Sequence, residues 1–374
     1  MMQDRLDKKS ADSQLLNDKP MRIRMDLEVF MKMKILPKLC FIFLISMPAV
    51  FAQSKNVSKV GTTAGTFLEI GVGATANGMG GAYVSLANDA TSLYWNVAGS
   101  ARLTEYEVDV VHTEWLAQTS LDYAALVLPL DEFGTIGFSF TSLSMPDMMV
   151  RTVDQPEGTG EYFSAGDIAV GVSYARSLTD RFSVGFTAKF IQESIWHMSS
   201  SAFAIDAGTE FRTDLFGGMV IGASISNFGS SMKMQGIDTR TYSSVDPAQL
   251  GTNNQIPYSI DLDSWSLPLL FRIGVSTNAI KTDNYRWTVA VDALHPNDNY
   301  ESVNAGTEFS YKEFLFLRAG YQSLFLPDGE GGLSFGVGVN SKMLFSSDIV
   351  KFDYAYRDFG RLNNVNVFSV SIKF

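Results

Sequence analysis

The feature that most constrains this chain is a repeated alternation of apolar and polar residues, which begins near Tyr106 and runs to the last residue. Segments of roughly 10–14 residues alternate in this way between short runs of turn residues, the period of a β-strand with two unlike faces. In RFSVGFTAKF, Phe186 and Phe190 share one face, whereas Ser183 and Lys189 share the other. We therefore expect a meander of strands, each with an apolar side and a polar side.

Fourteen segments of the chain show this pattern. The predicted strands are 105–116, 119–130, 134–145, 164–178, 181–195, 201–213, 218–228, 265–277, 284–295, 299–311, 314–324, 331–345, 348–358 and 363–374. An even number of long strands places both ends of the meander on the same side of a closed barrel.

The connections differ between the two ends of the predicted strands. Those after even-numbered strands are tight (LDEFG, SLTDR, KEF and SSD), whereas the two longest, 146–163 and 229–264, follow odd-numbered strands. Outer-membrane barrels show this asymmetry, with the short turns in the periplasm. Lipid also requires closure, because an open sheet edge would leave backbone N–H and C=O groups unpaired. The sequence therefore predicts an all-β fold, a transmembrane antiparallel β-barrel of about 14 strands.

In such a barrel the apolar face contacts lipid and the polar face lines the lumen. The charged residues that we expect in the lumen are Asp206, Glu210, Arg212, Arg272, Asp292, Arg318, Asp353 and Arg357. A secreted soluble β-sandwich or propeller would also alternate, but strand length and the sorting of loops favour the barrel. The terminal Phe374 after FSVSIKF resembles the signal that the barrel assembly machinery reads, so we expect that machinery as a partner.

The first 52 residues differ from the rest and resemble a secretory leader. Lys32, Lys34 and Lys38 form a basic region, the apolar run that follows is too short to span a bilayer, and small residues precede a cut after Ala52. We expect residues 1–30 to be an over-extended start, with Met31 or Met33 rather than Met1 as the initiator. The alternative is a structured N-terminal extension.

Charge and cysteine content exclude several classes of function. Cleavage after Ala52 removes the single cysteine, Cys40, and leaves 20 basic and 34 acidic residues, a net charge of −14. Such an acidic chain is not expected to bind nucleic acid, and disulfides, thiol nucleophiles and Cys-zinc sites are excluded. His112, His197 and His295 lie on different strands without metal spacing. We expect no enzyme activity, cofactor or metal.

The glycine-rich stretch from Gly71 to Gly99 contains a G-x-G-x-x-A pattern. A dinucleotide loop needs a buried strand before it, a helix after it and a surrounding βαβ unit, none of which is predicted here. Glycine also permits tight folding and close backbone approach. We therefore expect residues 53–104 to fold into the lumen as a hatch, with 105–374 forming the barrel. The hatch residues we single out are Gly78, Gly80, Gly81, Leu93, Tyr94, Trp95 and Asn96, the last four in or beside a short helix capped by Asn88 or Asp89.

Methionine and tryptophan residues mark the predicted external loops. The candidates for ligand or partner contact are Met145, Met148, Met149, Trp196, Met198, Met232 and Met234. Methionine is flexible and polarisable, which suits a surface that binds varied apolar partners. Ordinary packing at the membrane rim is the alternative interpretation.

Three stretches resemble a known family. AGTFLEIGVGATANGMGGAYVSLANDATSLYWNVAGSARL is similar to the N-terminal signature of the PorV/PorQ family, distant relatives of the FadL fatty-acid transporters. VHTEWLAQTSLDYAALVLPLDEFGTIGFSF resembles the first hairpin of that family, and DAGTEFRTDLFGGMVIGASISNFG its middle. The resemblance implies an outer-membrane barrel of about fourteen strands with an N-terminal hatch. Val97 stands where the family usually has proline, which predicts a less rigid turn.

Two functions follow from the resemblance. In the first, the barrel serves the type IX secretion system and contacts secreted cargo, the translocon or the attachment complex through its external loops. In the second, it is a passive FadL-like transporter that carries a long-chain fatty acid or similar lipid-like ligand across the bacterial outer membrane. Outer-membrane lipid is an expected partner in both.

Overall fold

The computed structural model describes residues 59–243, 255–327, 329–341 and 349–374. These residues belong to one compact unit, Ser58–Phe374. The predicted leader, its cleavage site at Ala52 and residues 53–58 lie outside the described residues, as does the predicted turn SSD. None of the helices in the described part of the chain is long and apolar enough to cross a membrane.

Fourteen antiparallel strands close into a barrel, which confirms the predicted fold class. Each strand pairs with the next along the chain, and the first closes on the last through a register that runs from Glu107↔Lys373 to Glu114↔Asn366. The strands are β1 Glu107–Glu114, β2 Ser120–Pro129, β3 Thr135–Ser144, β4 Ala165–Ser177, β5 Phe182–Ile195, β6 Met198–Thr213, β7 Met219–Gly229, β8 Leu270–Lys281, β9 Tyr285–Pro296, β10 Ser302–Tyr311, β11 Leu315–Leu324, β12 Leu333–Asn340, β13 Ile349–Asp358 and β14 Asn364–Lys373.

The largest boundary difference is in β8, which begins at Leu270 rather than at residue 265. Trp265 and Ser266 make isolated bridges to Met232 and Thr63 instead of continuing the strand. The residues before β8 are therefore part of the long connection 230–269. This connection and 145–164 lie at one end of the barrel, called the external end here because outer-membrane barrels carry their long loops outside the cell.

The two faces of the barrel wall differ as the alternation predicts. On the outer face, Phe186 and Phe203 are 55% and 70% exposed. On the inner face, Asp292 and Arg318 are 0% and 4% exposed. Since the apolar side chains point away from the interior, the medium around the barrel must be lipid, and the predicted polar lumen is confirmed.

Two β-bulges bend the wall towards the external end. In β7, Asn227 has a left-handed φ of 66°, and its N–H donates to Oδ1 of Asp206 at 2.7 Å. In β11, Ser323 has a φ of 58°, and its N–H donates to Oδ1 of Asn304 at 2.8 Å. In both cases an inward side chain on the neighbouring strand accepts the N–H that the bulge removes from the ladder.

The described residues before β1, 59–106, form a plug inside the barrel. The plug contains 3₁₀ turns at Thr66–Glu69 and Val97–Arg102 and two short helices, α1 Ala74–Gly78 and α2 Ser92–Trp95. Its fully buried apolar side chains form the core of the molecule; they include Phe67, Val72, Ala76, Met79, Val84, Leu93 and Trp95.

The plug runs from one end of the lumen to the other. Near its start, Thr63 bridges to Ser266 in the long external connection. At its finish, Nη1 of Arg102 donates to the carbonyl of Asp180 at 3.0 Å, in the short turn between β4 and β5. The described plug therefore begins at the external end and reaches the opposite end before the chain enters β1.

Candidate functional site

The three singled-out glycines of the plug lie where its backbone meets the barrel wall. A methyl group at Gly78 would lie 3.0 Å from Cα of Gly336 in β12. Gly80 has a φ of 65°, and a methyl group there would lie 2.6 Å from the backbone nitrogen of Tyr321. The glycines therefore serve close approach to the wall, and Gly80 also serves a left-handed turn.

Charged and amide side chains hold the middle of the plug in place. Oδ2 of Asp292 accepts the N–H groups of Tyr83 and Val84 at 2.7 and 2.8 Å. From the plug side, Nδ2 of Asn96 donates to the carbonyls of Val84 and Thr209 at 2.9 and 3.0 Å. Because these groups are buried, each lost hydrogen bond would leave a polar atom unsatisfied.

The aromatic residues of α2 pack against the rest of the plug. Trp95 donates its Nε1–H to the carbonyl of Val72 at 2.9 Å, and the Tyr94 hydroxyl donates to the carbonyl of Leu68 at 3.0 Å. The two rings meet edge to face, with centroids 5.1 Å apart. Leu93 fills the space left by the absent side chain of Gly137, whose added methyl would lie 2.6 Å from Cδ2 of Leu93.

Of the two residues predicted to cap this helix, Asp89 caps the turn that leads into it. The residue before α2 is Thr91, which makes no side-chain cap hydrogen bond, and the helix itself has only four residues. In the preceding turn, Oδ1 of Asp89 accepts the N–H of Thr91 at 3.0 Å.

A network of ion pairs lines the lumen towards the short-turn end. Arg318 lies at its centre, with Nε 2.7 Å from Glu308 and Nη1 2.6 Å from Asp353. Lys351 also reaches Asp353, at 2.9 Å, and Arg286 also reaches Glu308, at 3.1 Å. The network borders a cavity of about 340 Å³, called the lower cavity.

A second cavity, of about 170 Å³, lies towards the external end and is called the upper cavity. Its walls include Arg272 and Arg357, which are 3% and 5% exposed. It is also lined by Glu69, from the first turn of the plug. Part of the Glu69 residue is exposed to solvent, but desolvation of its carboxyl in the cavity and the carboxylate of Asp298 raise its pKa to about 7, against the opposing influence of Arg272.

Beyond the external end, the side chains of Met148, Phe163 and Trp196 form a small apolar cluster, called the external cluster. Met148 and Met149 pair with Phe163 and Tyr162 in a short hairpin of the connection 145–164. The ring of Phe163 lies 6.4 Å from that of Trp196, which precedes β6.

The structure separates the predicted loop residues into three groups by exposure. Met148 and Trp196 are 52% and 45% exposed, whereas Met145, Met149, Met198 and Met234 are half-buried. Met232 is buried below the loops, beside Gly65 of the plug, at 1% exposure. Sequence reasoning missed Phe163, because only the tertiary pairing of Tyr162–Phe163 with Met148–Met149 brings it to the cluster.

The histidines each face one carboxylate. Nδ1 lies 2.7 Å from Asp122 for His112, 3.2 Å from Asp238 for His197 and 3.1 Å from Glu301 for His295. Within the described ranges, no group of three or more His, Cys, Asp or Glu side chains is arranged to hold a metal ion.

Comparison with known families decides the membership of the chain. The family model described as "Type IX secretion system protein PorV" matches residues 52–254, more than half of the sequence. The chain belongs to the PorV family. This membership, with the lipid-facing barrel, places the protein in the bacterial outer membrane. No curated protein sequence matches this chain.

Solved structures share the fold of this PorV-family barrel at low identity. The CymD monoaromatic hydrocarbon channel is 13% identical, with a TM-score of 0.50 over 81% of this chain and 97% of that chain. A TodX monoaromatic hydrocarbon channel mutant is also 13% identical, with a TM-score of 0.50 over 81% and 98%. A Pseudomonas aeruginosa FadL homologue is 11% identical, with a TM-score of 0.48 over 81% and 98%. At 13% identity, the similarities to the CymD and TodX channels show the fold alone.

The matched range includes Val97, which stands where the PorV/PorQ pattern has proline. Val97 is the first residue of the 3₁₀ turn Val97–Arg102, a position that suits proline because its N–H has no partner within the helix. Asn96 precedes it and caps the turn, since its Oδ1 accepts the N–H of Ala98 at 3.2 Å. The turn therefore begins at this residue without the fixed φ of proline.

Proposed function

We propose that this protein is a non-enzymatic component of type IX secretion that contacts secreted cargo, the translocon or the attachment complex through its external loops. Membership of the PorV family supports the secretion role. The observation that carries the external site is the cluster of Met148, Phe163 and Trp196, in which Met148 and Trp196 are exposed beyond the external end of the barrel and Phe163 is half-buried.

The interior offers little room for a polypeptide to pass. The plug approaches the wall at glycine contacts, and buried carboxylates such as Asp292 bind its backbone. The two cavities measure about 340 and 170 Å³, whereas a folded domain occupies many thousands of Å³. We therefore assign contact with a protein partner to the outer surface of the barrel and its external loops.

A second exposed feature lies in the other long external connection. Arg240–Ser243 and Ile256–Ser259 pair as a two-stranded antiparallel sheet in the connection 230–269. Tyr242 and Ile260 are 67% and 53% exposed in and beside this sheet. Exposed aromatic and aliphatic side chains of this kind are typical of protein interaction sites.

The experiment is a pull-down from native membranes in mild detergent, with bound proteins identified by mass spectrometry. Large outer-membrane partners, or secreted proteins with a C-terminal signal domain, should accompany the wild-type barrel. The double variant Met148→Ser/Trp196→Ser should recover them at least tenfold less, since central aromatic anchors dominate interface energy.

The matched control is Phe133→Ser, which removes a 79% exposed aromatic from the short turn between β2 and β3. It should leave recovery unchanged. Recovery of the barrel alone from wild-type membranes would refute the proposal, and so would equal recovery by wild type and the double variant.

The second candidate function is passive transport of a hydrophobic small molecule, such as a long-chain fatty acid. The flexible methionines beside the external mouth favour it, because methionine adapts to varied apolar ligands. Native mass spectrometry of freshly purified protein would then show a bound lipid-like molecule. Absence of any such ligand, together with no fatty-acid binding in titration, would eliminate this candidate without affecting the first.

A further inference from the structure

Two buried arginines of the upper cavity differ from the other lumen cations. Arg272 donates to Oγ of Ser226 at 3.5 Å, and its buried Nε has no hydrogen-bond partner among the described residues. Arg357 donates to the amide oxygens of Asn77, at 2.6 Å, and Gln322. Neither forms a salt bridge within the described part of the chain.

Other cations of the lumen, unlike Arg272 and Arg357, are paired with carboxylates. Among the described residues, the lumen-side cations that form salt bridges are Arg102, Lys189, Arg212, Arg286, Arg318, Lys351 and Lys373. A buried charge is costly unless it is paired. Among the described residues neither guanidinium group has a carboxylate at salt-bridge distance. Glu69 and Asp292 act on Arg272 only from farther away, so the Nε–H of Arg272 remains open to an anion in the cavity.

Aromatic rings hold both guanidinium groups in position. The guanidinium carbon of Arg272 lies 5.4 Å from the ring centroid of Tyr94 and 5.3 Å from that of Trp95. That of Arg357 lies 4.8 Å from the centroid of Phe359. Stacking fixes the planar group while leaving its edge donors available.

The remaining walls of the upper cavity are partly apolar. Leu270, Leu294 and Leu326 line it together with Trp95. Asn299 and Tyr300, from the connection between β9 and β10 at the external end, border it as well. A volume of about 170 Å³ corresponds to roughly six water molecules, which is enough for a carboxylate with a short hydrocarbon chain.

We propose that the upper cavity binds the carboxylate of a small organic acid that enters from the external end, with Arg272 and Arg357 as the anion-binding residues. The guanidinium fork matches the two oxygens of a carboxylate. The leucine side chains contact the hydrocarbon part, which a purely inorganic anion lacks. This site is separate from the external cluster, and its test does not depend on the secretion role.

Glu69 opposes the bound anion. Its carboxyl lines the same cavity as Arg357 and interacts electrostatically with Asp298, Arg272 and Tyr94. The pKa of Glu69 is raised to about 7, so lowering the pH from 8 to 6 removes a negative charge from the cavity. Binding of the organic acid should therefore strengthen over this range.

The test uses the full mature protein purified in detergent and titrated calorimetrically with sodium butanoate at pH 6. Butanamide, its neutral counterpart, and inorganic phosphate are titrated in parallel. Butanoate should bind saturably and at least tenfold more tightly than either. Equal or tighter binding of phosphate, or of butanamide, would overturn the carboxylate assignment.

Variants connect the binding to the two arginines. Arg272→Gln and Arg357→Gln should each weaken butanoate binding at least tenfold, the loss typical of one charge-assisted hydrogen bond. Arg212→Gln is the matched control, because Arg212 is a lumen-side arginine that pairs with Glu210 away from the cavity. It should bind butanoate as the wild type does.

If an arginine variant fails to assemble, the variant Glu69→Gln still tests the proposed binding site. Glu69 is more exposed than the two buried arginines, and the variant should bind butanoate several-fold more tightly at pH 8 and lose the pH dependence between 6 and 8. Absence of saturable butanoate binding to correctly folded wild-type protein would refute the proposal, as would unchanged binding and pH dependence in Glu69→Gln.

Discussion

The lumen and the external loops of this barrel are stabilised in different ways. In the lumen, polar groups are buried and most are paired, as in the network of Arg318 with Glu308 and Asp353. On the external loops, ion pairs such as Lys233 with Asp261 are exposed, and apolar side chains such as Trp196 face solvent. Burial makes the lumen contacts structural, whereas exposure leaves the loop side chains available to a partner.

The largest expected difference comes from matched ion-pair variants. Arg318→Met should lower the free energy of unfolding by about 3–5 kcal/mol, because it leaves Glu308 and Asp353 buried with fewer partners. Lys233→Met, on the external loops, should cost less than about 1 kcal/mol. Guanidinium unfolding in lipid vesicles measures both, and similar losses for the two variants would contradict the comparison.

A glycine pair tests the contact between plug and wall. Gly80→Ala should cost about 2–4 kcal/mol, because the methyl group meets the Tyr321 backbone in addition to the left-handed strain. Gly61→Ala has the same kind of backbone, with a φ of 74°, but no atom within 4 Å, so it should cost about 1 kcal/mol. The same unfolding assay applies, and equal losses would mean that the plug is not seated against β11.

A carboxylate pair tests the hydrogen bonds to the plug backbone. Asp292→Ala should cost about 2–3 kcal/mol, because the N–H groups of Tyr83 and Val84 lose their acceptor. Asp238→Ala, which removes an exposed partner of His197, should change stability by less than about 0.5 kcal/mol. Hydrogen exchange at Tyr83 and Val84 should accelerate in the first variant alone.

The sequence predicted the architecture well because the alternation is a local signal that repeats in every strand. It predicted fourteen strands, their faces and the lumen position of residues such as Asp292 and Arg318. It did not predict the bulges at Asn227 and Ser323, which depend on acceptors from distant residues, Asp206 and Asn304.

The candidate sites were less predictable because they, too, depend on contacts between residues far apart in the chain. The methionines of the external loops were singled out together, yet Met232 is buried beside the plug because it bridges to Trp265. Arg272 and Arg357 were expected in the lumen, but their lack of a carboxylate partner among the described residues depends on the register of strands far apart in the chain. Composition and periodicity carry no information about such pairings.

The smallest expected effect is the change in folding stability with pH that Glu69, near the external end of the barrel, causes. The pKa of Glu69 is raised from 4.5 to about 7, so the folded state binds the proton more tightly and stability should fall as pH rises from about 4.5 to 7. Because the side chain is exposed, the change should be well under about 1 kcal/mol. Glu69→Gln should abolish it, and a wild-type stability that rises over this range would contradict the assignment.

The most direct test asks whether recognition needs a moving plug or an intact loop surface. Thr63→Cys/Asp298→Cys places two cysteines where Oγ1 and Oδ2 lie 2.6 Å apart, and their disulfide would tie the start of the plug to the connection after β9. The oxidised protein should recover its partners from membranes within twofold of wild type, whereas Met148→Ser/Trp196→Ser should lose them. Loss of partners in the locked protein, with retention in the loop variant, would show that the plug rather than the external cluster performs the function.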